Sequence, residues 1–268
     1  MSGVHPVRGA GRGIVRLAAL ALQFLTRVPL RLAGDVAPRE LAASMAFYPA
    51  VGLFVGAGTA ALGYAAAAWL PLPAAAVVAV AAGVIVTGNL HLDGLTDTAD
   101  GVFGAYEPAR RLEIMKDSRI GAHGVAAGVL ALGLKVTLLA GLEPADWWRA
   151  LPLALVAGRW ALVYGAYRHP YARAEGLGRV YSEHVRPVHL LAASVSALLF
   201  AAALSPAPRH LSAALAAALL TAWALGAYLR RKVGGMTGDT LGALNEAVEI
   251  AVLVAFTVAG ATTSAEGV

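Results

Sequence analysis

The chain is predicted to be all-α: a polytopic membrane bundle of about seven transmembrane helices preceded by an amphipathic or re-entrant helix. Composition is the first reason. Mean hydropathy is +0.68, with 59% hydrophobic and only 14% charged residues over 268 positions, which is too apolar for an ordinary soluble domain. The second is a series of apolar runs at 46–69, 73–90, 125–142, 147–167, 188–204, 211–229 and 247–261, most near the ~20 residues that cross hydrocarbon. These runs lack the alternation of barrel strands, and lipid offers no partner to exposed backbone, so helices are the expected form. The third is the placement of cations, which orients the spans.

Residues 1–45 form a separate N-terminal segment, cytoplasmic or interfacial, ahead of a transmembrane catalytic domain at 46–268. Residues 14–32 are apolar but carry Arg16, Arg27 and Arg31, which would be costly in mid-bilayer, so an interfacial helix is expected there. A cleaved signal peptide fits less well, because Arg27 interrupts the end of the stretch and no small-x-small site follows. With the N-terminus inside, segments 1–45, 91–124, 168–187 and 230–246 hold 17 of the 21 Lys and Arg. That asymmetry is the one the positive-inside rule favours. The net charge of +5 then reflects a basic cytoplasmic face and calls for no nucleic-acid partner. Absence of cysteine excludes disulfides, thiolate ligands and a cysteine nucleophile.

Three polar loops, 91–124, 168–187 and 230–246, should therefore emerge on one side and build one site. The first holds six carboxylates and four Lys or Arg beside an apolar span, a concentration that marks a functional region. Asp93, Asp97 and Asp100 stand at i, i+4 and i+7. On a helix they share one face, where unpaired carboxylates would raise one another's pKa unless a cation held them. A hard divalent ion, Mg2+, suits all-oxygen ligands. A bland solvated face is the alternative, and Gly94 and Gly101 beside the acids weigh against it.

Downstream come Arg110, Arg111, Lys116 and Arg119, with Asp117 among them; metal plus guanidinium is how proteins hold pyrophosphate. Arg110 and Arg111 read equally well as contacts to substrate or to anionic lipid. In the third loop Gly234, Gly235 and Gly238 permit backbone approach to a phosphate, with Asp239 directly after them, although glycines there can equally cap or pack a helix. Glu246 and Glu249 sit i, i+3 where the last apolar run begins and should face a polar cavity, suited to a second metal or a substrate amide. Arg159, about 12 Å from its helix end at helical rise, should face the site or an acidic partner, and Lys135 snorkels outward. His91, just before the acids, is a candidate base or metal ligand, whereas His123, His169, His184 and His189 read as loop or interface residues.

The runs His91-Leu-Asp-Gly-Leu-Thr-Asp-Thr-Ala-Asp-Gly101, Leu112-Glu-Ile-Met-Lys-Asp-Ser-Arg-Ile-Gly121 and Gly235-Met-Thr-Gly-Asp-Thr-Leu-Gly-Ala243 resemble the cobalamin synthase family, the adenosylcobinamide-GDP ribazoletransferases. Phe24-Leu-Thr-Arg27, Phe47-Tyr-Pro49, Val51-Gly52 and Gly158-Arg159 support the resemblance over nearly the whole chain. It implies a phosphotransferase of the bacterial inner membrane, in the last steps of adenosylcobalamin biosynthesis. Its substrates would be adenosylcobinamide-GDP and α-ribazole or α-ribazole 5′-phosphate, with GMP released, and association with other cobalamin-assembly enzymes is part of the expectation. On this reading Asp93, Asp97 and Asp100, with Asp117 or Asp239, hold Mg2+; Lys116, Arg119 and Arg159 offset charge on the leaving oxygen; Arg110, Arg111, Gly235, Gly238, Asp239 and Glu246 bind substrate. A free aspartate or His91 takes the acceptor's proton. A CDP-alcohol phosphotransferase ranks second, because Asp93-Gly94 and Asp100-Gly101 lack the Ala-Arg that follows in that signature. A cation-coupled transporter ranks third, because its outer vestibule should be polar and the outer connections here are bare.

Overall fold

The structure, a computed structural model, describes residues 10–30 and 32–266; Arg31, residues 1–9 and residues 267–268 lie outside the described residues. Among the described residues twelve α-helices follow in order: α1 (Ala10–Leu25), α2 (Pro38–Ser44), α3 (Tyr48–Ala67), α4 (Leu72–Thr87), α5 (Leu90–Gly104), α6 (Pro108–Ile114), α7 (Ala122–Ala140), α8 (Trp147–Arg168), α9 (Leu177–His184), α10 (Pro187–Leu204), α11 (Pro208–Val233) and α12 (Gly238–Glu266). Among the described residues, six helical stretches are long and apolar enough to cross a bilayer, and α4 with α5 meets that length only as a pair bent by 89°. The protein is thus a multi-pass membrane protein. Large apolar side chains such as Phe54, Leu62, Leu130, Leu199 and Trp223 are exposed on the outer faces of the bundle, where only lipid makes them stable.

Proline starts many of the helices, at Pro38, Pro49, Pro73, Pro108, Pro187 and Pro208, where its missing N–H costs nothing. The boundary expected at residues 45 and 46 falls inside a continuous helical stretch, Pro38–Ala67, joined through one 3-10 turn at Met45–Phe47. Helix α1 is docked on that stretch: Arg16 pairs with Glu40 at 3.0 Å and donates to the carbonyls of Ala33 and Asp35.

At the centre lies α8, buried along most of its length between α3, α10 and α12. Small residues make this possible. A Cβ on Gly52 would stand 2.5 Å from the Leu155 carbonyl oxygen, and one on Gly56 would stand 2.5 Å from the Pro152 Cα. The tryptophan at the start of α8, Trp147, is fully buried and donates its indole N–H to the Leu139 carbonyl at 2.9 Å.

The turn between α4 and α5 shapes the site. Gly88 and Asn89 both take left-handed backbone, φ 61° and 65°, and their N–H groups cap the last carbonyls of α4. The next helix leaves at 89°. The expected run to residue 90 therefore stops at Thr87, and α5 lies across the ends of α12 and α7 instead of continuing the span. Its neighbours there are the first turn of α12 at Asp239 and Gly242, and the start of α7 at Gly124 and Gly128. Most of the segment expected as loop 91–124 is thus helix, and so is most of 230–246, since α12 begins at Gly238.

Candidate active site

Two glycines bring the acidic elements together. A Cβ on Gly94 would lie 2.7 Å from the Asp239 carbonyl oxygen, and one on Gly242 would lie 3.0 Å from the His91 carbonyl oxygen. Only glycine permits that approach of α5 to α12, and it sets Asp93 and Asp97 beside Asp239. Burial, followed by the charges of Asp93 and Asp239, pushes the Asp97 carboxyl up to about 7. Such a cluster attracts either protons or a cation.

The first turn of α12 is held by a reciprocal cap: Thr237 N–H donates to the Thr240 hydroxyl at 2.7 Å, and Thr240 N–H donates to the Thr237 hydroxyl at 3.2 Å. Opposite it, residues 170–172 pair with Met236 through hydrogen bonds of 2.8 Å from Met236 N–H to the Pro170 carbonyl and from Ala172 N–H to the Met236 carbonyl. Gly235 makes room for that pairing, because a Cβ there would stand 2.3 Å from the Pro170 oxygen. The result places Arg173 against Asp239, with a 2.6 Å contact from Nη2 to Oδ2. Arg173 is the cation of this cluster, and sequence reasoning did not single it out. The available signal was only that 168–187 should converge with the two acidic segments.

The other expected residues have different occupations. Asp100 is buried and accepts the N–H groups of Gly121 and Gly124, both at 2.7 Å, so it caps the start of α7 rather than pointing its oxygens into the cluster. Asp117 and Arg119 bind each other at the surface through contacts of 3.0 and 2.7 Å, and the guanidinium lowers the Asp117 carboxyl to about 2. Arg110 pairs with Glu113 at 2.8 Å, and Lys116 is exposed. Arg111 is buried and donates to the carbonyls of Ala105 and Lys232, tying α6 to the end of α11. Gly235 serves the backbone pairing described above, whereas Gly238 has open space around it at the cluster.

Glu246 and Arg159 belong to a second, deeper constellation. Lys135 donates to Glu246 and to Glu249, each at 2.6 Å; Arg159 pairs with Glu249 and donates to Asn245 at 2.8 Å. Lys135 therefore turns inward between two carboxylates instead of snorkelling, because the pair offers a better exchange for water than the membrane boundary does. Arg159 meets an acidic partner, as its depth requires. A cavity of about 50 Å³, room for a few water molecules, is lined by Lys135, Arg159, Glu246, Glu249, Asn89 and His91. His91 is buried, and its Nε2 has no hydrogen-bond partner.

Among the described residues no group of three or more His, Asp or Glu side chains stands where it could hold a metal ion by itself. An open set is still suitable for Mg2+, which keeps several waters and usually takes only one or two carboxylates plus substrate phosphate oxygens. Asp93 is exposed, Asp97 is half-buried and Asp239 keeps one oxygen clear of Arg173, so the donors present fit such an ion.

Fold and site together define a polytopic helical membrane protein with a carboxylate cluster, flanked by one arginine, at one end of its bundle. The model of the cobalamin-5-phosphate synthase family matches residues 17–257, and the chain belongs to that family. It is 44% identical over 238 residues to the adenosylcobinamide-GDP ribazoletransferase of Syntrophobacter fumaroxidans, covering 88% of this chain and 95% of the relative. Identity is 41% over 237 residues to the enzyme of that description from Roseiflexus, covering 88% and 87%. With that from Klebsiella pneumoniae it is 39% over 242 residues, covering 88% and 96%. No solved structure gives a significant match. The chain is accordingly a membrane-embedded transferase.

Proposed function

We propose that the protein transfers the adenosylcobinamide phosphoryl group from adenosylcobinamide-GDP to α-ribazole or α-ribazole 5′-phosphate, releasing GMP, with Mg2+ as cofactor. The observation that carries this reading is the meeting of Asp93, Asp97 and Asp239 with Arg173 where α5 crosses α12, in a chain whose relatives carry that enzyme name. Phosphoryl transfer from an activated diphosphate needs positioning and neutralised charge more than a protein nucleophile. An acceptor ribose hydroxyl attacks the corrinoid-bearing phosphorus, the bond from phosphorus to the GMP oxygen breaks, and GMP leaves with the electron pair.

Asp93 and Asp239 would hold Mg2+ together with phosphate oxygens and water, and the ion would supply neutralisation of the diphosphate. Arg173 is paired with Asp239 in this cluster and takes the place of Lys116, Arg119 and Arg159 as the side chain that offsets charge on the leaving oxygen. Two groups are placed to accept the hydroxyl proton: Asp97, whose carboxyl is raised to about 7, and the unpartnered Nε2 of His91. The segments that build this site, 91–124, 168–187 and 230–246, hold 11 of the 21 Lys and Arg, which supports a cytoplasmic site at the inner membrane.

The test is GMP release by detergent-purified protein given adenosylcobinamide-GDP, α-ribazole and Mg2+. Release that needs all three and is lost in Asp93→Asn supports the reading. Intact protein that releases no GMP overturns it.

A further inference from the structure

A second cavity, of about 260 Å³, opens beside the acidic cluster where α1, α3, α5, α9 and α12 meet. Phe24, Tyr48, Tyr181 and Leu162 give it an aromatic and aliphatic wall, while Asp93 and Asp239 stand at its polar edge. We infer that this cavity is the subsite for the planar base of the acceptor nucleoside, holding its ribose against Asp93 and Asp239. The inference rests on the ribazoletransferase reading and deepens it.

The walls suit a flat ring. Phe24 lies 4.9 Å from the Tyr181 ring, tilted by 50°, and 6.2 Å from the Tyr48 ring in a stacked arrangement at 12°. Stacking between aromatic side chains and a base is favourable for every base, because each has a π-face. Size narrows the occupant. Sites for drug-sized ligands run to about 300–1,000 Å³, so this one takes a single ring system and leaves no room for a corrin macrocycle.

Polarity narrows it further. Tyr48 is buried at 2% exposure, and its hydroxyl, set against that of Tyr181, makes no hydrogen bond of normal geometry. A buried tyrosine pair in which each hydroxyl has only the other beside it is short of an acceptor, which points to a ligand atom that completes the pair. The benzimidazole-type base of α-ribazole has one free ring nitrogen, an acceptor for that O–H, and otherwise presents only carbon and hydrogen. Guanine, the base of the donor nucleotide, carries a carbonyl, a ring N–H and an amino group along one edge. Beyond the two tyrosine hydroxyls and His91, the side chains able to meet that edge are Asp93 and Asp239, which the metal engages in this reading. The acceptor base is therefore the occupant that leaves fewest polar groups unpaired.

The experiment is steady-state GMP release by the full-length protein, varying α-ribazole at saturating adenosylcobinamide-GDP and then the reverse, in Phe24→Ala and Tyr48→Phe. Phe24 is 38% exposed, so its truncation leaves the bundle standing even if Tyr48→Phe does not. The KM for α-ribazole is expected to rise about tenfold in Phe24→Ala through lost stacking, and about fivefold in Tyr48→Phe through a lost hydrogen bond. The KM for adenosylcobinamide-GDP and kcat should hold. A rise in the donor KM instead would assign the cavity to guanine, and no change in either KM would remove the base subsite altogether. Calorimetric binding of α-ribazole to the same variants reads the subsite without turnover, so wild-type protein that binds α-ribazole but releases no GMP would sink the parent reading alone.

Discussion

Gly94 of α5 and Gly242 of α12 meet backbone to backbone: a Cβ on Gly242 would stand 3.2 Å from the Gly94 Cα. This crossing sets the separation of the carboxylates, since Asp93 precedes one glycine and Asp239 lies one turn before the other. Gly94→Ala drives a methyl to 2.7 Å from the Asp239 carbonyl oxygen. Overpacking of this kind is expected to cost about 1–3 kcal/mol. Turnover should fall further than stability, because the helices must part at the cluster. Gly133→Ala, where a Cβ meets open space, is the control, and melting temperature alongside GMP release measures both effects.

Arg173 and Arg119 should separate cleanly. Arg173→Gln removes the guanidinium from Asp239 and is expected to lower kcat by about 10²–10³, the size of one lost charge-stabilising donor. Arg119→Gln breaks only a surface pair with Asp117 and should leave kcat within about twofold of wild type. Equal losses in the two variants would move the site towards α6.

Lys135→Met strands Glu246 and leaves Glu249 with Arg159 and the Asn245 amide. Breaking a buried pair from one side costs about 3–5 kcal/mol. Lys135→Met combined with Glu246→Met keeps Arg159 and Glu249 balanced and should recover most of that loss. Thermal unfolding in detergent, read as a double-mutant cycle, checks the coupling.

Asp97 gives the protein a pH dependence of definite sign. Its carboxyl is raised from an ordinary 3.8 to about 7 in the folded protein, so the native state holds a proton that the unfolded chain releases. That contribution to stability is full below pH 3.8 and is lost as pH rises through about 7 in the metal-free protein. A Mg2+ ion held beside Asp97, as proposed, would work against the same proton. Its apparent affinity should therefore climb between about pH 6 and 8, with proton release measurable by calorimetry in buffers of different ionisation enthalpy. Asp97→Asn should flatten that climb.

Asp100 and Asp93 are expected to fail in different ways. Asp100→Ala removes the acceptor for Gly121 and Gly124 N–H and should cost about 1 kcal/mol of stability, more if the cap is fully buried. Its Mg2+ affinity should stay nearer wild type than that of Asp93→Asn, which should melt normally. Metal titration and thermal unfolding of the two variants distinguish a cap from a ligand.

Much of this protein was legible in its sequence. The seven apolar runs reappear as α3, α4, α7, α8, α10, α11 and α12, because burying backbone in lipid leaves a long chain little choice but helices. The acids at 93, 97 and 100 do lie on one helix, since their spacing is local information. Contacts between distant elements were not legible. Arg173 reaches Asp239 across 66 residues, and Lys135 reaches Glu249 across 114. Periodicity carries no information on such pairs.

The sequence by itself determined the solvent, the helical form and the grouping of the acids on α5, all of which follow from composition and short-range spacing. Only the tertiary structure decided which charges meet. Asp100 turns to α7 because Gly121 and Gly124 present bare N–H groups there, Arg111 is spent on carbonyls at the end of α11, and Lys135 points inward to two carboxylates. In each case a buried polar group took the partner that packing brought within reach, and packing is set by glycine contacts between helices far apart in the chain.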